Sequence, residues 1–216
     1  ITMNKGYTKA IVQDIANLHV AKSAQIFKDT AYRLPHIKQG LKAPYFVKPN
    51  NGGSSIGMSK VNHPDDLEAA VRKAFNEDNQ VLIEEFIQGR EFTVGVVKLD
   101  GKITVLPVTE VETAKEFFDF EAKYTPGVAT ETTPAAIRPE TRDRVAQIVE
   151  QVYIKLNCRG VVRIDFILRE DEGDFYFIEI NTIPGQTATS FIPQQVAAMG
   201  MKLNDFYTKL VRETIG

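Results

Sequence analysis

The sequence predicts an α+β chain of antiparallel strand pairs joined by short turns and flanked by amphipathic helices. Residues 163–169 and 175–181 alternate apolar and polar at period two around the acidic, Gly-containing stretch 170–174, and read as a hairpin. The apolar run 81–87 returns as 91–97 after Gly89, and Asp100-Gly101 turns the chain again into 102–108. Helices come from apolar residues at helical spacing: Leu67, Ala70, Val71, Ala74 and Phe75, then Val145, Ile148, Val149, Val152 and Leu156.

Composition narrows the function classes. The 216 residues are 43% apolar and 25% charged with a net charge of −2, enough for one large or two small ordinary globular domains. Nothing in that balance offers a basic surface to nucleic acid, and no apolar run approaches the ~20 residues that cross a membrane. Cys158 stands alone, which rules out an intrachain disulfide and a Cys-based zinc site, and three histidines argue against a His-based one. There is no visible signal peptide, and the start at Ile1 rather than Met points to a piece of a longer protein.

In chain order, Asn4 is placed to cap a helix with Tyr7, Ala10, Ile11, Ile15 and Leu18 at helical spacing, and Lys5 falls in its first turn. Residues 20–27 read as a strand and 28–44 as a polar linker. A strand ending at Lys48 then meets the loop 50–57, with three glycines and two serines, before a short strand 58–61. Glycines let backbone N–H groups approach phosphate oxygens, and serines add donors. The loop lacks Gly-Lys-Ser/Thr and opens no helix, so it is not a Walker loop but fits a Gly-rich hairpin over phosphates; it also fits an ordinary turn. His63-Pro64-Asp65-Asp66 opens a structural helix. Adjacent Glu84 and Glu85 must face opposite ways on their strand, so one of them points inward. Residues 109–138 are the least regular, and the aromatic and charged mixture at 117–127 marks an ordered, functional loop. Pro139 opens a long helix, and two more close the chain at 193–199 and 204–214.

The hairpin carries the chemistry. With Arg169 facing Phe175, Asp165 falls opposite Glu179 and Arg163 opposite Asn181, all on one face, while Ile164, Phe166, Leu168, Tyr176, Ile178 and Ile180 take the other. Facing carboxylates repel across a sheet. A hard cation between them would remove that repulsion, as Mg²⁺ bound by carboxylates and substrate phosphates does. The same pattern also fits the solvated face of a plain sheet, although the sequel Thr182-Ile-Pro-Gly-Gln186 is unusual for one.

These pieces, in order, resemble one family. Val47-Lys-Pro49 with Gly53-Ser-Ser-Ile-Gly-Met-Ser-Lys-Val61, Leu82-Ile-Glu84, Glu91-Phe-Thr-Val94, Phe118-Asp-Phe-Glu-Ala-Lys-Tyr124, Arg163-Ile-Asp165 and Glu179-Ile-Asn181-Thr-Ile-Pro-Gly185 are similar to segments of D-alanine–D-alanine ligases of the ATP-grasp superfamily. The resemblance implies an ATP-grasp fold, two α+β subdomains gripping ATP between antiparallel sheets. It divides the chain into a central subdomain 1–88 and a C-terminal subdomain 89–216, without the Rossmann-like N-terminal domain that binds the first D-alanine. It further implies that Lys5 and Lys48 contact the ATP phosphates, that Ser54 and Ser55 cover them, that Glu84 lines the adenine pocket and that Glu91 holds the ribose. Lys123 would reach the transferred phosphate and Tyr124 would close a mobile loop. Asp165, Glu179 and Asn181 would bind two Mg²⁺ ions, or Mn²⁺, and Arg163 would stabilise the transition state. Gly185, Ser190 and Phe191 would hold the acceptor D-alanine. Glu85 stands where many members have Lys, and Phe118 and Phe191 replace a Tyr and a Leu.

The implied reaction is ATP-dependent formation of D-alanyl-D-alanine through an acyl phosphate for peptidoglycan, in a cytoplasmic homodimer. Attack on a polyanion requires positive charge at the γ-phosphate, which Lys48, Lys123, Arg163 and Mg²⁺ would supply, with loop 112–128 excluding water. The alternatives are a D-alanine–D-lactate or D-serine ligase, another ATP-grasp ligase, or a nucleotide-binding module without catalysis.

Overall fold

A computed structural model describes residues 1–53, 55–113, 129–169 and 173–215. Two sheets face each other across a cleft. The smaller has the order β2 (Ser23–Phe27), β5 (Gln80–Glu85), β3 (Tyr45–Pro49), β4 (Ser59–Val61), antiparallel throughout. The larger has the order β1 (Leu18–Val20), β11 (Asp174–Asn181), β10 (Val161–Arg169), β6 (Arg90–Leu99), β8 (Thr109–Thr113), β9 (Ala129–Thr132), with β7 (Lys102–Val105) also on β6. Its pairs are antiparallel except β1 with β11, which run parallel.

Three apolar clusters hold these layers. On the smaller sheet, α2 (Leu34–Gly40) and α3 (Leu67–Ala74) bury Val47, Val81 and Ile83 with Leu67, Val71 and Ala74. On one face of the larger sheet, α1 (Lys5–Val12) and α4 (Pro139–Lys155) pack on Phe92, Val94, Ile164, Phe166, Phe175 and Phe177. On its other face, α5 (Phe191–Ala198) and α6 (Leu203–Ile215) bury Val97, Leu99 and Leu106 with Ile192, Val196 and Phe206. Successive β6 residues Val96 and Val97 thus enter different cores, as pleating requires.

Several expected elements are rearranged. Asn4 caps α1, its Oδ1 accepting from Tyr7 N at 2.9 Å, but the helix ends at Val12 and buries Thr8, Lys9 and Val12 while Tyr7 is 67% exposed; of the expected stripe, Ile15 and Leu18 are buried, beyond the helix. The single strand expected at 20–27 is two strands in different sheets, and the expected linker contains α2. Residues 5–20 pack on the larger sheet, across the boundary expected at residue 88, because β1 completes that sheet's edge and Val12, Ile15 and Leu18 enter its core.

The hairpin departs from simple alternation in an informative way. Arg169 pairs with Asp174, not Phe175, and a register shift between Asp165 and Phe166 absorbs the slip. This bulge restores Asp165 opposite Glu179 and Arg163 opposite Asn181. Below it the faces exchange: Phe175 and Phe177 are core residues, whereas Tyr176 and Ile178, expected in the core, line the cleft. A one-residue slip moves every side chain beyond it to the other face.

One polar group repairs the larger sheet. β6 leaves β8 after Thr93 and meets β7 from Val96, so Gly95 N–H and Thr93 C=O lack strand partners on that side. Gln195 of α5, fully buried, fills the gap: its Oε1 accepts from Gly95 N at 2.8 Å, and its Nε2 donates to Thr93 O at 3.2 Å and Thr109 Oγ1 at 3.0 Å. Gly95 permits the approach, since a Cβ there would lie 2.8 Å from that Oε1 and 2.7 Å from Ile192 Cδ1. Gln195→Leu is expected to strand two buried backbone groups and lower the unfolding free energy by about 2–4 kcal/mol. A urea midpoint that does not move would contradict this role.

Candidate active site

The cleft between the sheets has a volume of about 1040 Å³ and draws on both. From the smaller sheet and α1 come Lys5, Lys48, Glu84 and the loop residues Gly52, Gly53 and Ser55. From the larger come Glu91, Arg163, Asp165, Glu179 and Asn181, with Gly185, Ser190 and Phe191 at one end. Three of the residues singled out in the sequence, Ser54, Lys123 and Tyr124, lie outside the described residues; the other twelve line this one cleft.

The floor is set by register. Thr93, Asp165 and Glu179 form a row across β6, β10 and β11, and Gly95, Arg163 and Asn181 form the next. Asp165 takes a bidentate pair from Arg163, Nε to Oδ1 at 2.9 Å and Nη2 to Oδ2 at 2.8 Å, and Thr93 Oγ1 donates to Oδ1 at 2.5 Å. This fork geometry fixes both side chains. Beside Asp165 the guanidinium is raised above its ordinary pKa despite burial, and it rests 5.4 Å from the Phe191 ring centre. Glu179 faces Lys5 across the cleft, Oε2 to Nζ at 3.5 Å. Asn181 Oδ1 accepts from Ile183 N at 2.9 Å, which turns the chain into the loop before α5. In that loop Gly185 packs on Ser190, where a Cβ would stand 2.7 Å from Oγ, and Ser190 Oγ accepts from Thr187 N at 3.2 Å.

The opposite wall is a lysine cluster. Lys5 Nζ donates to the carbonyl of Gly52 in the glycine loop. Burial lowers the Lys5 pKa; Glu179 opposes that shift and Lys48 reinforces it. Lys48 Nζ lies 2.5 Å from Glu84 Oε2, and Lys9 Nζ binds the other oxygen, Oε1. Glu84 is thus the inward-facing member of its pair, while Glu85 accepts from Lys42 N at 2.7 Å. Sequence reading passed over Lys9. Its one signal was its position one helical turn after Lys5, which puts both on one face of α1.

Asp165, Glu179 and Asn181 are a hard-oxygen donor set suited to Mg²⁺. Asp165 Oδ1 already accepts two hydrogen bonds, but Oδ2 accepts one, so a lone pair remains for a cation. Among the described residues no cluster of three or more His, Cys, Asp or Glu is placed to hold a metal ion.

Glu84 gives the site a pH signature. Burial alone would raise its carboxyl, but Lys48 and Lys9 hold it down at about 2, against 4.5 for a free glutamate. A carboxyl depressed in the folded state contributes stability that is complete above the unfolded value and is lost as pH falls from about 4.5 toward about 2. The expected loss over that window is on the order of 3 kcal/mol. Denaturant melts between pH 6 and 2 should show a steeper acid limb in the wild type than in Glu84→Gln. An equal limb in both would contradict the assignment.

Residues 10–212 match the family described as D-ala D-ala ligase C-terminus. A D-alanine–D-alanine ligase from Parabacteroides distasonis is 40% identical over 215 residues, covering 100% of this chain and 64% of that protein. One from Azobacteroides pseudotrichonymphae is 44% identical over 171 residues, or 79% of this chain and 52% of its own length. Among solved structures, the VanG D-Ala:D-Ser ligase of Enterococcus faecalis superposes with a TM-score of 0.83 at 32% identity over 97% of this chain and 61% of that one. The D-alanine–D-alanine ligase of Bacillus anthracis complexed with ATP gives 0.82 at 26% identity over 100% and 66%. The chain therefore spans less than two thirds of the length of these relatives. With two sheets gripping a cleft in the ATP-grasp manner and a family match over nearly its whole length, the chain belongs to the D-ala D-ala ligase C-terminus family.

Proposed function

We propose that this chain is the ATP-binding and acceptor-binding part of an ATP-dependent D-alanine–D-alanine ligase. The observation that carries this reading is the facing arrangement of the cleft. A glycine loop with Lys5 and Lys48 lies on one wall, and Arg163 with two cross-strand carboxylates lies on the other. Such walls suit a triphosphate and the reaction at its end.

The phosphates would lie against Lys5, Lys48 and the N–H groups of the glycine loop, with Glu91 and the chain leaving β5 at Phe86 and Ile87 toward the nucleoside. The carboxylate of one D-alanine attacks the γ-phosphorus, the bond to the β-phosphate oxygen breaks, and ADP and a D-alanyl phosphate result. The amine of the second D-alanine then attacks the acyl carbon, inorganic phosphate leaves, and the amine loses a proton as the peptide bond forms. Lys48 and Arg163 hold fixed positive charge where negative charge is transferred, which is electrostatic preorganisation. Arg163 is kept in place by Asp165 and the Phe191 ring. The acceptor's carboxylate would meet the N-terminal N–H groups of α5 at Ser190 and Phe191, an end that favours anions. Bound at Asp165, Glu179 and Asn181, two Mg²⁺ ions, or Mn²⁺, would neutralise phosphate charge. A cytoplasmic homodimer completes the reading.

D-Serine as acceptor is the second reading, favoured by the likeness to the D-Ala:D-Ser ligase. Phosphate release by the full-length enzyme, with D-alanine alone and then with added D-serine, separates the two.

Lys48→Met in the full-length ligase is expected to lower turnover on the order of 10²-fold while the thermal midpoint moves by only a few degrees. Near-normal turnover in a folded variant would remove Lys48 from the mechanism. Residues 1–216 by themselves are expected to bind ATP·Mg weakly and form no D-alanyl-D-alanine, because the resemblance assigns the first D-alanine to a region outside them. Positioning of that carboxylate is worth ~7–11 kcal/mol of barrier. D-alanine-dependent phosphate release by residues 1–216 at the full-length rate would overturn that division of labour.

A further inference from the structure

We propose that Lys9 is a positioning residue that keeps Lys48 available to the nucleotide by occupying the other oxygen of Glu84. The inference rests on the ligase reading above and assigns a role to a residue that touches no substrate.

Lys9 is not itself a ligand of the cleft. Its ammonium has three protons, and all three are committed: to Ala21 O at 2.8 Å, to Ser23 Oγ at 3.2 Å and to Glu84 Oε1. Its side chain is 6% exposed, and it does not line the cleft, whereas Lys48 and Glu84 do. Ser23 and Glu84 are direct cross-strand partners on β2 and β5, so Lys9 lies on the same face of the sheet as Lys48 and closes on the carboxylate that Lys48 also meets.

Charge pairing gives this contact its consequence. Lys5 faces one carboxylate, Glu179, and Arg163 is forked onto another, Asp165. Lys48 and Lys9 instead share the single carboxylate of Glu84, one on each oxygen. The lysine wall around the glycine loop therefore carries a surplus positive charge only because Lys9 is present. Remove the Lys9 charge and the buried Glu84 carboxylate has one directly bonded cation left. It would draw Lys48 into an exclusive pair, as a buried carboxylate with one partner must. Lys48 would then be both neutralised and pulled toward β5, away from the phosphates.

The test is a charge-balance cycle in the full-length ligase. Lys9→Met keeps the apolar stem and removes the ammonium; the nucleotide KM is expected to rise on the order of tenfold, with the D-alanine KM changed less than about twofold. Adding Glu84→Gln to Lys9→Met frees Lys48 from the unpaired carboxylate, and the nucleotide KM is expected to return to within about threefold of wild type. A merely structural staple gives the opposite pattern: the double variant is no better than the single one, or both substrates' constants rise together, and either result overturns the proposal. Should Lys9→Met fail to fold, the double variant, which buries no uncompensated carboxylate, decides alone. A nucleotide KM near wild type supports the role, and a tenfold rise contradicts it. A wild-type enzyme that binds no ATP would instead sink the ligase reading itself, whereas normal ATP binding in both wild type and Lys9→Met would sink only the role of Lys9.

Discussion

Asp165 and Glu179 stand directly opposite each other on neighbouring strands, and the surrounding structure is arranged to make that tolerable. Like charges at this spacing destabilise a sheet. Here each carboxylate is met by a cation from a different direction: Arg163 from two residues away on the same strand, and Lys5 from α1 across the cleft. Thr93 secures Asp165 from the third strand, and Gln195 secures the backbone of Thr93 from α5. The acidic floor thus ties together β6, β10, β11, α1 and α5. A site that concentrates charge this way gives up stability locally and recovers it through bonds that fix geometry.

The lysine wall follows the same logic with the sign reversed. Three lysines approach one another in a buried region, and Glu84, held ionised by Lys48 and Lys9, keeps two of them together. The glycine loop is tethered at its base by Asn50, which is fully buried. Its Oδ1 accepts from Gly6 N at 2.8 Å, its carbonyl accepts from Lys5 N at 3.0 Å, and its Nδ2 donates to Gln80 at 2.9 Å. Helix α1 therefore delivers Lys5 and Lys9 in a position set by the loop that Lys5 also touches.

Much of this was legible in the residues. Period-two alternation located both long hairpins. The pairing of Asp165 with Glu179 and Arg163 with Asn181 follows from taking 170–174 as the loop; Arg169 in fact pairs with Asp174, and the bulge after Asp165 returns the register to the expected row. The partition of faces further along β11 was not readable. A bulge has no residue signature there, and Phe175-Tyr-Phe-Ile178 is apolar on both faces, so hydrophobicity could not choose between registers. Residues 5–20 were misallocated for a different reason: β1 joins β11 in parallel across more than 150 residues, and such pairing leaves no local trace. Lys9 was missed because a lysine on a polar helix normally snorkels to water. Its burial depends on Ala21, Ser23 and Glu84, which only the fold brings together.

In the proposed reaction, Asp165, Glu179 and Asn181 would hold a divalent cation carried in with ATP. Electron paramagnetic resonance of Mn²⁺ added with ATP to the full-length protein tests it most directly. The expected result is a protein-bound Mn²⁺ signal that appears with the nucleotide and is lost or strongly weakened in Glu179→Gln, with the fold retained. A bound signal of the same strength and line shape in Glu179→Gln and Asn181→Ala would contradict it.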